Sequence, residues 1–456
     1  MKENVHLIFD IGKTTKKVFI ASENLKVKEE QEISIPEIAD EDGFPSEDLP
    51  SLEAWMKEIF LRYVKEEKFT VTHMNIATYG ASMVHLNKNF ESAFPFVNYL
   101  KPYPQKLINE FHQSHGYPEI SSASPLLGML NSGLQLFWLK YQHGDRYNAI
   151  SQSLHFPQYC SFLFTQKCFS ELTSLGCHTM MWDFVNHDYQ PWVLKENMLL
   201  CLPPLKPTDE LILTQHQGKE IKMGIGVHDS SAALYPYLKF MEDPFLFLST
   251  GTWNIAFNPF NTTPLTEEEL KKDALCYLTP EGNPIKASRI FLGNEYDLQI
   301  KLLSQYFQKD SGYFKGMKFD ERLYNKLKHE NSPLKTFHPI SLKGTGPLPN
   351  YPDLSTRLDH FENAEEAYHQ MLHDLVAWQK LSLELIDPKN QIDKLIVAGG
   401  FTRNKMFLSV LKRETGKKIL LSNNPRATAL GAHLLVYPEY HFDDLQREMD
   451  LKTVVD

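Results

Sequence analysis

Residues 7–22 read LIFDIGKTTKKVFIAS, and within them Gly12-Lys13-Thr14 carries the last three letters of a P-loop. A P-loop has a further glycine five residues earlier and opens a helix, because loop N–H groups and helix N-terminus share the phosphates. Here that earlier position is Leu7, inside an apolar run, and a second apolar run, VFIAS, follows the lysines. The pattern predicts strand, tight turn and strand. Gly12 allows such a turn to bring bare backbone up to a ligand, and successive N–H groups within it form an anion-binding hollow. Thr14 and Thr15 add hydroxyl donors, and Lys13 or Lys17 adds positive charge. Asp10, at the strand end, is a carboxylate suited to Mg2+, which takes one or two carboxylates and keeps several waters. Read by itself, the stretch is first of all an ordinary hairpin with a polar turn.

Working outward, PFLFLSTGTWNIAF (244–257) repeats the unit of strand, glycine turn and strand. VAGGFTRN (397–404) is a strand running into a diglycine and then a helix start. Gly399 and Gly400 leave backbone bare for a flat ligand or a phosphate, and Asn404 offers a donor and an acceptor. GVHDSSAA (226–233) sets Asp229 between a strand and a helix, with Ser230 as the expected N-cap. Asp229 is then either a reacting carboxylate or one stabilised by the helix dipole. SLEAWMKEIFLRYVKEE (51–67) has helical spacing and MNIATYG (74–80) is a strand ending in glycine. A long amphipathic helix is expected over 363–386, with Asn363 and Glu366 as a capping box and Ala367, Tyr368, Met371, Leu372 and Leu375 as its buried stripe. NKMFLSVLKRETG is a helix stopped by Gly416, KKILLS a strand, and NNPRATALGAHLLV a helix with Pro425 in its first turn. Strands interleaved with helices predict α/β layers.

The chain has 456 residues, 42% of them hydrophobic. A single core stops growing near ~250–300 residues, so two domains are expected. A net charge of -10 does not favour nucleic acid or anionic lipid as partners. No uninterrupted apolar run approaches the ~18 residues of a membrane span, and MKENVHLIFDIGKTT lacks a signal-peptide pattern. Five cysteines without a CxxC fit reduced cytoplasmic thiols better than a zinc site. His369 and His373 stand four apart on the expected long helix and could ligate a metal. With no third ligand nearby in sequence they are read as a solvated or half-buried pair.

Taken in order and together, these stretches resemble the FGGY carbohydrate kinases of the actin-like ATPase superfamily, over nearly the whole chain. Asp10-Ile11-Gly12 with Thr14, Thr15 and Lys17 is similar to the family's first phosphate motif, and Gly251-Thr252 to its second. Gly226-Val227-His228-Asp229-Ser230-Ser231-Ala232 resembles the segment whose aspartate faces the sugar hydroxyl. Ala398-Gly399-Gly400 with Asn404 resembles the adenosine motif, and Ala429-Leu430-Gly431-Ala432 the closing helix. Trp253 and ATYGASMVHLN (77–87) are similar to the rhamnulokinase branch, and SELTSLGCHTMMWDF (170–184) to a segment lining the sugar site.

The resemblance implies an α/β fold of two actin-like (ribonuclease H-like) domains, with mixed sheets flanked by helices and a central cleft. Residues 1–238 would carry most of the sugar site and 239–456 most of the nucleotide site. It implies ATP and Mg2+, a ketose substrate, a cytoplasmic enzyme and a possible homodimer. Asp229 would be catalytic and Asp10 would hold the metal. Gly12, Lys13, Thr14, Thr15, Gly251, Thr252, Gly399, Gly400 and Asn404 would bind nucleotide. Tyr79, Gly80, His178 and Asp229 would bind the sugar. His178 and Trp182 are read either as sugar contacts or as core packing. Departures from the family pattern cluster at the sugar side. Ala81-Ser82 replaces a Val-Asp pair, YLKPYP (99–104) replaces an Arg-Asp segment, Lys13 stands for threonine or serine, and Arg426 for a small or acidic residue. They keep alive a catalytically inactive sugar-binding regulator as the alternative. An actin-like ATPase driving a partner is a further reading, for which the sequence shows no peptide-binding appendage.

Overall fold

The computed structural model describes residues 2–454. The chain forms two compact units that are not continuous in sequence. The first runs to Phe240 and adds 276–284 and 425–449, whereas the second holds 241–275, 285–424 and the residues from 450. The division at 238/239 expected from sequence is a single cut, and it leaves the helix Ala427–Val436 with the second part. In the structure that helix packs on Asp229–Phe240 of the first unit. A Cβ added at Gly431 would lie 1.8 Å from the carbonyl oxygen of Ala232, so the two helix backbones meet there with no side chain between them. Gly431→Ala is therefore expected to force the helices apart and to destabilise the first unit by about 1–3 kcal/mol or more. The denaturant midpoint of the purified variant measures it.

The first unit's main sheet runs in the order Leu211–His216, Lys219–Gly224, Phe69–Thr78, Glu3–Ile11, Lys16–Ser22 and Val27–Ile33. Glu3–Ile11 is parallel to Phe69–Thr78 and antiparallel to Lys16–Ser22, which confirms the expected hairpin. Central position explains the unbroken burial of Val5 to Phe9, His6 included, since a strand covered on both faces need not alternate. VKEEQEI at the edge does alternate, and its charged face protects an open edge. The amphipathic helix begins at Leu49, two residues before the expected start, because Asp48 caps it by accepting the Ser51 N–H. Its Leu52, Met56, Ile59, Phe60 and Tyr63 join the core of this sheet.

Within the second unit the sheet order is 285–290, Asn254–Asn258, Phe245–Thr250, Lys394–Gly399, Lys418–Ser422 and Leu451–Thr453. It repeats the local plan of the first: Phe245–Thr250 is antiparallel to its hairpin partner and parallel to Lys394–Gly399. The long helix Ala364–Ile386 packs its expected stripe, including Tyr368, Met371 and Leu375, into this unit's core. Asn363 caps it through the Glu366 N–H, but the Glu366 carboxylate accepts the N–H of Glu362 rather than completing the box. His369 spends both ring nitrogens on protein, Nδ1 toward the Glu365 carbonyl and Nε2 accepting the Asp320 N–H. His373 pairs with Asp374. Gly416 ends its helix at φ 68°, as expected. Pro425, by contrast, lies in the turn before Ala427–Val436 and not in the helix. No helix of the described residues is long and apolar enough to cross a membrane.

Candidate active site

Strand register builds the centre of the first unit. Ala77 is the parallel partner of Asp10 on one side and of Val227 on the other, so Asp10 and the Val227–His228 strand end level across one central strand. Asp229 follows as the first residue of its helix. Ser230 therefore lies inside the first turn and is not the cap; its hydroxyl donates to Asp229 Oδ1 at 3.2 Å. Asp10 senses the charge of Asp229. Burial, the charge of Asp229 and, in opposition, Lys17 set the Asp10 carboxyl at about 7. Burial raises Asp229 to about 6 against its bonds to Ser230, although a third of its side chain (32%) stays open. Two buried carboxylates so placed repel when both are ionised.

The turn beside them closes with the Gly12 N–H on the Thr15 carbonyl at 3.0 Å. Thr14 is exposed and Thr15 half-buried. Lys13 does not extend alone toward the turn. Its ammonium sits 2.5 Å from Glu37 and lies over the rings of Tyr79 and Tyr99. Lys16, fully buried, binds Glu47 at 2.6 Å and the Lys13 carbonyl at 3.0 Å. Tyr79, expected to contact sugar, gives its hydroxyl to the same Glu47 at 2.8 Å. Glu47 and Lys16 escaped the sequence reading. Glu47 sits in an irregular loop with no motif around it, and Lys16 looks like one more polar hairpin residue.

The other expected sugar-side residues are packed into the first unit. A Cβ at Gly80 would meet Cys177 Sγ at 2.6 Å and the His228 ring at 2.9 Å, so this glycine serves close packing. His178 is buried at φ 39°, with Nδ1 3.3 Å from the Leu130 carbonyl. Trp182 packs with Leu175 and Leu278, the core alternative of its two readings. Ala81 and Ser82 are buried. Within 99–104, burial and the charges of Asp229, Glu37 and Glu47 raise the Tyr99 phenol, which places it in the field of the site. Lys101 is taken by Asp40 and Asp42, and Arg426 by Glu30.

In the second unit, Gly251, Thr252, Gly400 and Asn404 line one pocket of about 370 Å3, together with Gly293 and Tyr296. The Gly251 N–H closes its turn on the Trp253 carbonyl at 3.0 Å, one residue tighter than the Gly12 to Thr15 closure of the first hairpin. Gly400 is open: a Cβ there would have only the Thr250 carbonyl oxygen near it, at 3.9 Å. Gly399 has φ 90° and lies against Thr250, whose carbonyl oxygen would sit 1.9 Å from an added Cβ, so the neighbouring strand requires its bareness. Asn404 caps its helix by accepting the Phe407 N–H at 3.0 Å, which leaves its amide nitrogen facing the Tyr296 and Tyr368 hydroxyls.

Comparison with protein-family models adds the deciding observation. The N-terminal domain model of the FGGY family of carbohydrate kinases matches residues 5–232, and the carbohydrate kinase FGGY C-terminal domain model matches 242–444. The chain belongs to the FGGY family of carbohydrate kinases. Among solved structures, this FGGY kinase is similar to a carbohydrate kinase from Novosphingobium aromaticivorans, with TM-score 0.82 and 23% identity over 100% of this chain and 94% of that one. It is also similar to a ligand-bound xylulose kinase from Lactobacillus acidophilus, with TM-score 0.78 and 12% identity over 99% and 93%. A Plasmodium falciparum glycerol kinase with ADP gives 0.76 and 14% over 100% and 94%. At these identities the likeness is one of fold. No curated protein matches the sequence. The family makes ATP the phosphoryl donor of this kinase and a small sugar its acceptor.

Proposed function

We propose that this kinase transfers the γ-phosphate of ATP to a hydroxyl of a small ketose of the rhamnulose, fuculose or xylulose type, with Asp229 as the catalytic carboxylate. The observation that carries the reading is the Asp10–Asp229 pair, held at strand ends beside a glycine turn. Asp229 accepts the proton of the sugar hydroxyl as its oxygen bonds to phosphorus and the bond to ADP breaks. Its raised pKa makes it a better base than an ordinary carboxylate. The backbone N–H groups of the Gly12 turn and the Gly251 turn orient phosphates, and the second unit's pocket takes the adenosine. Positioning and charge do most of the work in phosphoryl transfer. Asp10 would hold Mg2+, whose charge, when bound, offsets that of the phosphates. The mutual repulsion of the carboxylates is what the ion would relieve, and magnesium needs no larger protein ligand set. Reduced thiols favour the cytoplasm, where ATP is supplied. A catalytically inactive sugar binder is not favoured, because it would gain nothing from two strained carboxylates.

The test is ADP release with Mg-ATP across ketoses, aldoses and polyols, with a sugar-free control. One ketose is expected to stimulate release at least tenfold. Equal release with and without every sugar would overturn the reading.

A further inference from the structure

The second unit's pocket of about 370 Å3 has three charged residues in its lining that the proposed function leaves unused: Asp297, Lys315 and Arg403. All three are exposed. Among the described residues, none of the three makes a hydrogen bond or an ion pair. Their charges are therefore not spent on holding the fold.

The helix Leu292–Phe307 sets the position of Asp297. It starts on the Gly251–Thr252 turn: the Asn294 N–H donates to the Thr252 carbonyl at 3.2 Å, and a Cβ on Gly293 would lie 1.9 Å from the Gly251 carbonyl oxygen. Gly293, Tyr296 and Asp297 stand at i, i+3 and i+4, so one helix face brings all three to the pocket. Tyr296 is buried, with its ring 5.4 Å from Phe401 and its hydroxyl 3.1 Å from that of Tyr368. Asp297, one turn past Gly293, lies about 6 Å further along the axis from the turn that would orient phosphates. That is the step from a nucleotide's phosphates to its ribose. The carboxylate also acts within the pocket: after burial and Tyr368, its charge helps to raise the Tyr296 phenol.

An ionised carboxylate only accepts hydrogen bonds, through two oxygens. A nucleotide offers donors at two places, the base edge and the ribose diol. On adenine the amino group adjoins ring N1, an acceptor that a carboxylate repels. The base edge that suits a carboxylate is guanine's, where two donors stand side by side. The family makes ATP the phosphoryl donor here, so the carboxylate fits the ribose instead. The 2′- and 3′-hydroxyls are adjacent donors on one side of the ring, one for each oxygen. An acidic side chain meets ribose in the same way beside the phosphate turn of dinucleotide sites. Lys315 and Arg403 put two positive charges in the same lining, which offset the repulsion between Asp297 and the phosphates.

We propose that Asp297 is a specificity-determining residue of the nucleotide site, accepting both ribose hydroxyls of ATP and ADP, so that this kinase prefers ribonucleotides to deoxyribonucleotides. The inference rests on the reading of this pocket as the adenosine site.

Calorimetric titration of the full chain with Mg-ADP, Mg-2′-deoxy-ADP and Mg-3′-deoxy-ADP tests it without sugar or turnover. Wild type is expected to bind ADP about tenfold tighter than either analogue, the scale of one hydrogen bond to a charged group. Asp297→Ala should weaken ADP about 10–100-fold and bring the three nucleotides within about threefold of one another. Asp297→Asn, which keeps one acceptor oxygen, should fall between. The side chain is exposed, so both variants should fold with the wild-type denaturant midpoint. ADP binding without discrimination in wild type, or discrimination that survives in Asp297→Ala, would overturn the inference and leave the adenosine site standing. If Asp297→Ala instead changed the ranking of ADP against GDP while the deoxy analogues stayed weak, the carboxylate would belong to the base and the inference would equally fall. Failure of ADP itself to bind wild type would remove the adenosine site along with the inference.

Discussion

Asp229→Asn is expected to lower sugar-dependent ADP release by about 10²–10⁴-fold, the usual worth of a positioned acid–base group. The asparagine keeps the shape of the side chain and a group on the helix N-terminus, so the fold survives. The pocket formed by Gly251, Thr252, Gly400 and Asn404 lies in the second unit and contains no atom of Asp229. ATP affinity, read by calorimetric titration, should therefore match wild type. The variant should also be no less stable. Because the folded pKa of Asp229 is raised, its ionised form weakens the fold at neutral and higher pH, and asparagine removes both the buried charge and its repulsion of Asp10. Transfer near the wild-type rate would take Asp229 out of the mechanism. Unchanged transfer would also leave the Asp10 pair without a catalytic purpose.

The second large effect is acid lability of the first unit. His6, His85, His155, His228 and His433 are buried there, with folded pKa values near 2, 3, 4, 3 and 3 against 6.5 when exposed. Burial is the leading cause for each, and neighbouring histidines add to it for all but His228. His6 Nδ1 and His433 Nε2 are 2.5 Å apart, so only one of them can carry a proton there. Each folded value is depressed, so the unfolded chain gains a proton near pH 6.5 that the folded chain refuses until about pH 4 or below. Stability is whole above pH 6.5 and drains between 6.5 and 4. Asp10, Asp229 and Glu171 act in the opposite sense, since their folded values are raised and the folded chain gains those protons first. The net near pH 5 is roughly two to three protons, a slope of about 3–4 kcal/mol per pH unit. Urea midpoints at pH 7.5, 6.0 and 5.0 should fall steeply. A midpoint unchanged down to pH 5.0 would contradict the buried neutral state of these rings.

What the sequence made legible follows from locality. The hairpin at Gly12, its echo at Gly251, the strand into Gly399 and the helix stop at Gly416 are each written within a dozen residues, as runs and turn formers. Both family motifs in the second unit that line the pocket could be named for the same reason. What stayed hidden is long-range. Gly399 looks like Gly400 in sequence, and only the pairing of Thr250 with its strand shows that it faces a carbonyl. The charge of Lys13 looks free until Glu37 and Glu47 fold against it. Ser230 failed as a cap because the helix starts one residue early, at the carboxylate itself.

The two halves of this chemistry are built from different materials. In the second unit, Gly399 meets the Thr250 carbonyl and Gly293 meets the Gly251 carbonyl, each at 1.9 Å from where a Cβ would stand. Main chain touches main chain there, and no substitution can retune it by degrees. In the first unit the charges of Asp229, Glu37 and Glu47 converge on the side chain of Tyr99. On the proposed reading, a protein so constructed can change diet while keeping its fuel: mutation can explore new acceptors one side chain at a time, while the turns proposed to handle the donor tolerate almost no drift.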